Sequence, residues 1–274
     1  MEKEKSKLVK KIFIDGHSFD TAFQGTTSYL IGLYSSLMEH HEDIEIHIGT
    51  KNPKNVQKHF NNHQNIKFIK YKSNSSFFRI FFEIPSIIKK NKFDFAHFQY
   101  VIPFSRLKSC KYFVTIHDIL FEDFDNLFPF FYKLTRKILF RYAAKNADKV
   151  FTVSKYSKSR IEELYNINPE KIKITFNGIN DTFHHFQASK NQSKDYIFKK
   201  YGLKNYLLFV SRIEPRKNHI PFIKIILNTR INNTHKVVFI GENSLIPDFE
   251  KIISKANEGN KKCIYWYRNV ELQD

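Results

Sequence analysis

Cysteine is nearly absent from the 274-residue chain: Cys110 and Cys263 stand alone, beside one tryptophan and two methionines. Two thiols so far apart make neither a disulfide framework nor a pair of zinc half-sites, and free thiols suit a cytoplasmic protein. Eight glycines and eight prolines exclude collagen-like and low-complexity architectures. Acid is scarce, with 27 Asp plus Glu against 45 Lys plus Arg and a net charge of +18. Long apolar runs are missing too. The most apolar stretch, Phe77 to Ile88, is broken by Arg79, Glu83 and Pro85 and falls short of the roughly 20 residues that cross a bilayer. The opening MEKEKSKLVKKIFIDG leads from mixed charges straight into a short apolar strand, so no secretory signal is expected. A soluble or peripheral protein is expected.

What is present is a regular alternation. Hydrophobic residues make up 42%, enough for a core, and short β-rich runs alternate with helix-length segments, the pattern of a parallel sheet covered by helices. Strands are expected at Leu8–Asp15, Ile44–Gly49, Ile66–Tyr71, Phe93–Phe98, Tyr112–His117 and Val150–Ser154. Between the first two, Tyr29, Leu30, Leu33, Tyr34, Leu37 and Met38 recur at helical spacing, completing a β-α-β unit. The polar stretch HHFQASKNQSK from His184 to Lys194 shows no apolar period and is expected to link two domains. Strands at Tyr206–Ser211, Val237–Gly241 and Cys263–Tyr267 follow, with helices at His219–Arg230 and Pro247–Asn257 between them. The expected organisation is an N-terminal α/β domain over 1–183, a linker over 184–204 and a smaller, incomplete α/β domain over 205–274.

In open parallel sheets ligands bind beyond the carboxyl ends of strands, and the residues there are polar. Gly25, Thr26 and Thr27 open the first helix. Backbone N–H groups there can hold a phosphate, or a threonine simply caps the helix and Gly25 makes a turn. His117 and Asp118 stand at the end of the fifth strand. The histidine can bond a substrate hydroxyl or, backed by the carboxylate, steady developing positive charge, while Asp118 serves equally as an N-cap. Ser154 is placed to cap the helix after it. Asn177 and Gly178, in NGIND, mark a turn where a ligand can approach closely. The sharpest cluster is Arg212, Ile213, Glu214, Pro215, Arg216, Lys217 and Asn218. There a bidentate Arg212 and a point-charge Lys217 can converge on one diphosphate, or the loop is merely solvated.

Taken in order, these segments resemble glycosyltransferase family 4. The resemblance rests on IDGHSFDTAFQGTTSYLIGLY, HFQYVIPF, VTIHD, ADKVFTVSKYSKSRI, ITFNGIN and, most specifically, LLFVSRIEPRKN followed by VVFIGE. It implies two Rossmann-like parallel-sheet domains facing a cleft and transfer of a hexose from a nucleotide-diphosphate sugar, GDP- or UDP-linked, with retention of configuration. It implies that Gly25 and Thr26 lie against the donor phosphates and that His117 contacts the transferred sugar. Arg212 and Lys217 would hold the diphosphate and stabilise the leaving nucleotide, with Asp118, Ser154, Asn177, Gly178 and Gly241 candidates for the cleft wall. No metal or other cofactor is expected, since cations aimed at the departing diphosphate supply the electrostatics and no Asp-x-Asp pair occurs. Family members carry two glutamates eight positions apart beyond the point where this sequence stops, and Glu271 is assigned neither role. A truncated member, weak in transfer by itself, is therefore expected.

The expected acceptor is a saccharide or lipid-linked group in cell-surface polysaccharide or glycolipid synthesis. Two stretches, Ser75–Lys92 and Pro129–Lys145, mix phenylalanine and isoleucine with lysine and arginine. They fit an anionic membrane surface, or their apolar residues cover the sheet while the basic ones face water. Two other classes compete. A nucleic-acid-binding protein would use the same charge, but no helix-turn-helix, RNP-type or zinc-finger signature accompanies it, and no nucleic-acid partner is expected. A catalytically impaired remnant acting as an interaction protein follows from the truncation.

Overall fold

Seven parallel strands carry the first unit: β1 (Lys10–Asp15), β2 (Ile44–Thr50), β3 (Ile66–Lys70), β4 (Phe95–Gln99), β5 (Lys111–Thr115), β6 (Lys149–Thr152) and β7 (Ile172–Ile174). Their order is β3-β2-β1-β4-β5-β6-β7. The structure is a computed structural model that describes residues 9–21, 24–60, 63–124, 127–179, 188–243, 246–258, 262–268 and 270. The chain divides into two compact units, Met1–His184 and His185–Asp274.

Side chains alternate across each strand, so Phe13 and Ile14 enter different cores. Phe13 joins Phe93, Phe98, Tyr112, Val114 and Phe140, while Ile14 joins Tyr29, Leu30, Tyr34, Ile46 and Ile48. All twelve are buried, and full burial of a Phe or Ile side chain contributes about 1.5–3 kcal/mol. The covering helices are α1 (Gly25–His40), α2 (Ile84–Asn91), α3 (Phe130–Asn146) and α4 (Lys155–Tyr165). A single π-helical turn, Arg79–Glu83, precedes α2.

Three expectations change. The fifth strand ends at Thr115 and the sixth at Thr152, so His117 and Ser154 stand two residues beyond their ladders rather than inside them. The short β7, unrecognised in the sequence, pairs with β6 over three residues. The apolar residues of α3 do not all cover the sheet: Phe140, Ala143 and Ala144 are buried, but Phe130, Phe131, Leu134 and Ile138 are exposed.

The second unit has a three-stranded parallel sheet, β8 (Tyr206–Val210), β9 (Lys236–Ile240) and β10 (Ile264–Tyr267), in the order β10-β9-β8. Its helices are α5 (Lys190–Tyr201), α6 (His219–Asn228) and α7 (Phe249–Asn257). Ile213, Ile223, Val237, Phe239, Phe249 and Ile264 form its core. The stretch expected to be a linker is thus helical from Lys190. Ser189 and Gln192 form a reciprocal capping box and Gly202, at φ +69°, closes the other end. No residue of α5 is buried, so its sequence carries no strong apolar period. Residues 184–187 of that linker and Glu271 lie outside the described residues.

Candidate functional site

In the first sheet β1 is flanked by β2 on one side and β4 on the other. The winding reverses there, and such a switch point is where open α/β sheets leave a crevice at the strands' carboxyl ends. Gln99 ends β4 and pairs in register with Thr115, which ends β5; His117 follows two residues later. The His117 ring is buried and its Nε2 lies 2.8 Å from the Gln99 amide oxygen. An amide oxygen only accepts, so this contact places the proton on Nε2 and leaves Nδ1 a lone pair. Burial pulls the His117 pKa down to about 4, so the ring is neutral near pH 7. The Gln99 amide nitrogen is itself buried without a partner among the described residues.

Tyr100 completes this corner. Its φ of +65° is left-handed, a conformation costing about 1–3 kcal/mol in a bulky residue unless the surroundings enforce it. Val101 N donates to the Gln99 carbonyl at 2.8 Å, closing a three-residue turn around it. The Tyr100 ring packs 5.4 Å from His117 and stacks at 4.9 Å on Phe140. Its hydroxyl bonds Thr26, and burial followed by the nearby Asp118 raises its pKa well above that of an ordinary phenol. Tyr29 closes the other side, edge-on to His117 at 4.9 Å.

A buried polar chain lies beneath. Tyr34 Oη is 2.5 Å from His97 Nδ1, and His97 Nε2 is 2.7 Å from Thr115 Oγ1. Tyr29 Oη lies 3.3 Å from Thr115 Oγ1 and 2.7 Å from Thr175 Oγ1. Burial, with a smaller contribution from His117, lowers the His97 pKa to about 3. A second cluster sits where β1 ends. Asp15 accepts from Tyr71 Oη at 2.8 Å and lies 3.0 Å from His17 Nδ1. Burial would raise the Asp15 carboxyl, but His17, Arg79 and Tyr71 together hold it below its usual range.

The remaining expected residues divide sharply. Ser154 caps α4, accepting from Ser157 N at 3.0 Å, and Ser157 Oγ donates to the His117 carbonyl at 3.0 Å. Its role is to position the strand exit. Asp118 is not the N-cap of the helix after it, a place taken by Ile119; the Asp118 Oδ1 accepts from Leu120 N at 3.4 Å across a short turn. Thr26 and Thr27 do not cap α1: Gln24 is the cap residue and makes no side-chain cap bond, while Thr27 Oγ1 turns down to the Ser18 carbonyl at 3.3 Å. Gly25 is the first helical residue, and a Cβ there would meet no described residue outside its own helix and chain neighbours within 4 Å. Asn177 and Gly178 are exposed beyond β7, and a Cβ at Gly178 would meet no described residue beyond its chain neighbours within 4 Å.

In the second unit the loop after β8 is stitched to the loop after β9. Ser211 N donates to the Ile240 carbonyl at 3.0 Å and Ile213 N to that of Glu242 at 2.9 Å. Gly241 permits this, for at φ +142° a Cβ there would stand 2.1 Å from the Ser211 carbonyl oxygen; its role is backbone clearance. Glu214 is buried and lies 3.5 Å from Arg212 Nε and 2.7 Å from Arg216 Nε. Arg212 is more than half exposed. A short 3-10 turn, Pro215–Lys217, delivers Lys217 and ends on Asn218 at φ +56°, where α6 starts. His219 Nε2, 3.0 Å from Ser211 Oγ, ties the strand exit to that helix.

Sequence reasoning missed Gln99, Tyr100, Tyr29 and Glu214. The first two stand in HFQY and the last in RIEPRK, so their motifs were in view. The signal of Gln99 and Tyr100 is a polar and a bulky residue at a strand terminus, which is also common where no ligand binds; Tyr29, inside α1, and Glu214, in the loop after β8, carry none. Among the described residues no group of three His, Cys, Asp or Glu side chains is placed to hold a metal ion.

Residues 24–183 match the sequence profile of Glycosyltransferase Family 4. The chain belongs to glycosyltransferase family 4. His117 and the corner around it fall inside the family 4 match, whereas Arg212 and Lys217 lie beyond it. A curated relative, the O-antigen chain mannosyltransferase RfbU of Salmonella typhimurium, is 33% identical over 117 residues, 40% of this chain and 27% of that protein. The match thus spans about a quarter of that relative's length. Solved structures share the fold at low identity. A glycosyltransferase from Rickettsia africae superposes with a TM-score of 0.60 at 18% identity, over 96% of this chain and 69% of that one. Anabaena HepE in complex with UDP-glucose gives 0.63 at 14% identity, over 96% and 69%.

Proposed function

We propose that this family 4 chain takes part in transferring a hexose, with retention of configuration, from a nucleotide-diphosphate sugar to a saccharide or lipid-linked acceptor. The observation that carries the reading is His117, an imidazole kept neutral by burial and fixed in one tautomer by Gln99 beyond the end of β5. Its Nδ1 lone pair suits a sugar hydroxyl donor and tolerates the positive charge that builds on the ring as the anomeric bond breaks. In the reaction the anomeric C–O bond to the diphosphate breaks, its electron pair leaving on the phosphate oxygen. The acceptor oxygen bonds the same carbon and its proton passes to the departing phosphate. Arg212 and Lys217 are assigned to that diphosphate, and preorganised cations there are a large electrostatic lever. The N-terminus of α1 at Gly25 and Thr26 is assigned to the donor phosphates and the acceptor.

The name of the RfbU relative supports mannose and an O-antigen-like polysaccharide, and the HepE complex supports a nucleotide-linked donor; GDP and UDP are both candidate bases. No helix among the described residues is long and apolar enough to cross a membrane. Two measurements on the whole chain test the reading. Calorimetric titration with GDP and UDP should show binding of one in preference to the other. Radiolabelled GDP-mannose and UDP-glucose should then yield free or transferred sugar. Absence of binding to both nucleotides would remove the donor assignment.

A further inference from the structure

The first unit carries an apolar surface that its own fold leaves uncovered. Phe77, Phe78 and Phe82, around the start of the π-helical turn, are each more than half exposed. Their rings touch one another, with Phe77 and Phe78 5.9 Å apart and Phe78 and Phe82 5.6 Å apart. Phe77 also meets Phe81 at 4.9 Å, and Phe81 stacks on the exposed Phe104 at 4.4 Å. Phe104 then meets Tyr142 of α3 edge-on at 4.8 Å, and the Tyr142 hydroxyl donates to the Phe104 carbonyl at 3.2 Å.

From Tyr142 the surface continues along α3. Ile138, Leu134 and Phe130 recur at steps of four residues, one face of a helix, and all are exposed, as is Phe131 at 79%. Apolar patches this extended on a monomer's surface mark an interaction site. The π turn is what separates the aromatic residues from the helix behind them: Arg79 is buried within it and lies over the Tyr71 ring, while Phe82 points outward.

Charge selects the partner. Helix α3 carries Lys133, Arg136, Lys137, Arg141 and Lys145 with no acidic residue, and α2 ends in Lys89 and Lys90 with Lys92 just after it. Of these, Lys137, Arg141, Lys145, Lys89, Lys90 and Lys92 are exposed. A protein interface buries its apolar centre and depletes it of lysine. Exposed phenylalanine interleaved with lysine and arginine along a helix is instead the composition of an element lying in the headgroup layer. We propose that the surface running from Phe77 through Phe104 to Phe131 docks this chain on an anionic lipid bilayer, the phenylalanines entering the headgroup boundary and the lysines and arginines meeting lipid phosphate. Each basic residue brought to such a surface multiplies partitioning about fivefold.

The inference is independent of the transferase reading, because its test uses neither donor nor acceptor. The whole chain is sedimented with vesicles of phosphatidylcholine alone and of phosphatidylcholine with phosphatidylglycerol. Binding is expected to the anionic vesicles only, weakening several-fold between low and physiological salt. A Phe77→Ser/Phe78→Ser/Phe82→Ser variant and, separately, a Lys137→Gln/Arg141→Gln variant should each lose at least tenfold in partitioning. Lys251→Gln, in the second unit, should not change it. All these side chains are exposed, and a circular-dichroism spectrum matching the parent chain is the check that each variant folds. Failure of the parent chain to bind anionic vesicles at low salt overturns the proposal, as does binding that the phenylalanine variant leaves intact. A dimer in analytical ultracentrifugation that the phenylalanine variant dissolves, without vesicle binding, assigns the surface to a second copy of the chain instead.

Discussion

Nε2 of His117 and the amide oxygen of Gln99 are 2.8 Å apart, and this bond sets the tautomer of an imidazole that burial keeps neutral. A carboxylate in place of the amide would favour the imidazolium. The Gln99→Glu variant should therefore raise the His117 pKa from about 4 by more than one unit, as read from its ring-proton shifts by NMR. Sugar transfer near pH 7 should fall with it. An unshifted titration would show that Gln99 does not govern the ring.

Acid should unfold the first unit through the same buried rings. His97 and His117 have folded pKa values of about 3 and about 4, below the ordinary value of about 6.5. The unfolded chain therefore binds their protons first, and stability is full above pH ~6.5 and declines as pH falls toward the folded values. Each ring contributes a slope of about 1.4 kcal/mol per pH unit in that window. Asp15, held below its usual range, loses stability in the same direction at lower pH. Chemical denaturation between pH 7 and pH 4 measures the slope, and His97→Gln should remove one ring's share.

Gly241→Ala places a methyl carbon 2.1 Å from the Ser211 carbonyl oxygen at a backbone angle that alanine disfavours. The loops after β8 and β9 must then separate, losing the Ser211 and Ile213 bonds. A destabilisation of about 3 kcal/mol or more is expected for the second unit. Loss of its melting transition, with that of the first unit unchanged, would establish that the effect is local. Gly178→Ala, where a Cβ meets open space, should be silent.

Nucleotide binding should depend on both cations of the β8 loop. Charge-assisted bonds contribute about 1.5–3 kcal/mol each, so Arg212→Ala and Lys217→Ala should each weaken GDP or UDP binding by about tenfold or more. Arg212→Lys should fall between them and the parent chain, because it keeps the charge and loses the fork. Equal affinities across all four proteins would place the diphosphate elsewhere.

The alternation of strands and helices was legible in the sequence because parallel strands buried on both faces read as short β-branched and aromatic runs. The legible part of the site was the part that ends a strand: His117, Arg212 and Lys217 follow runs whose period changes abruptly. What was hidden was relational. Gln99 matters because parallel register brings it beside the end of β5, and Tyr100 because a left-handed turn presses its ring on His117; neither contact has a local pattern. Helix α5 escaped notice because it buries nothing. The apolar residues of α3 gave a helical period whichever way the helix faced.

Among the described residues strand β8 pairs only with β9, so the loop bearing Arg212 and Lys217 hangs from one side of its sheet. Its amide bonds from Ser211 and Ile213 are the last rungs before solvent, and local opening of this margin sets their hydrogen–deuterium exchange. A diphosphate gripped by the loop would hold the margin shut. Occupancy by donor should therefore be recorded as slowed exchange at Ser211 and Ile213, while the amides of β10, on the far side of β9, keep their own rate.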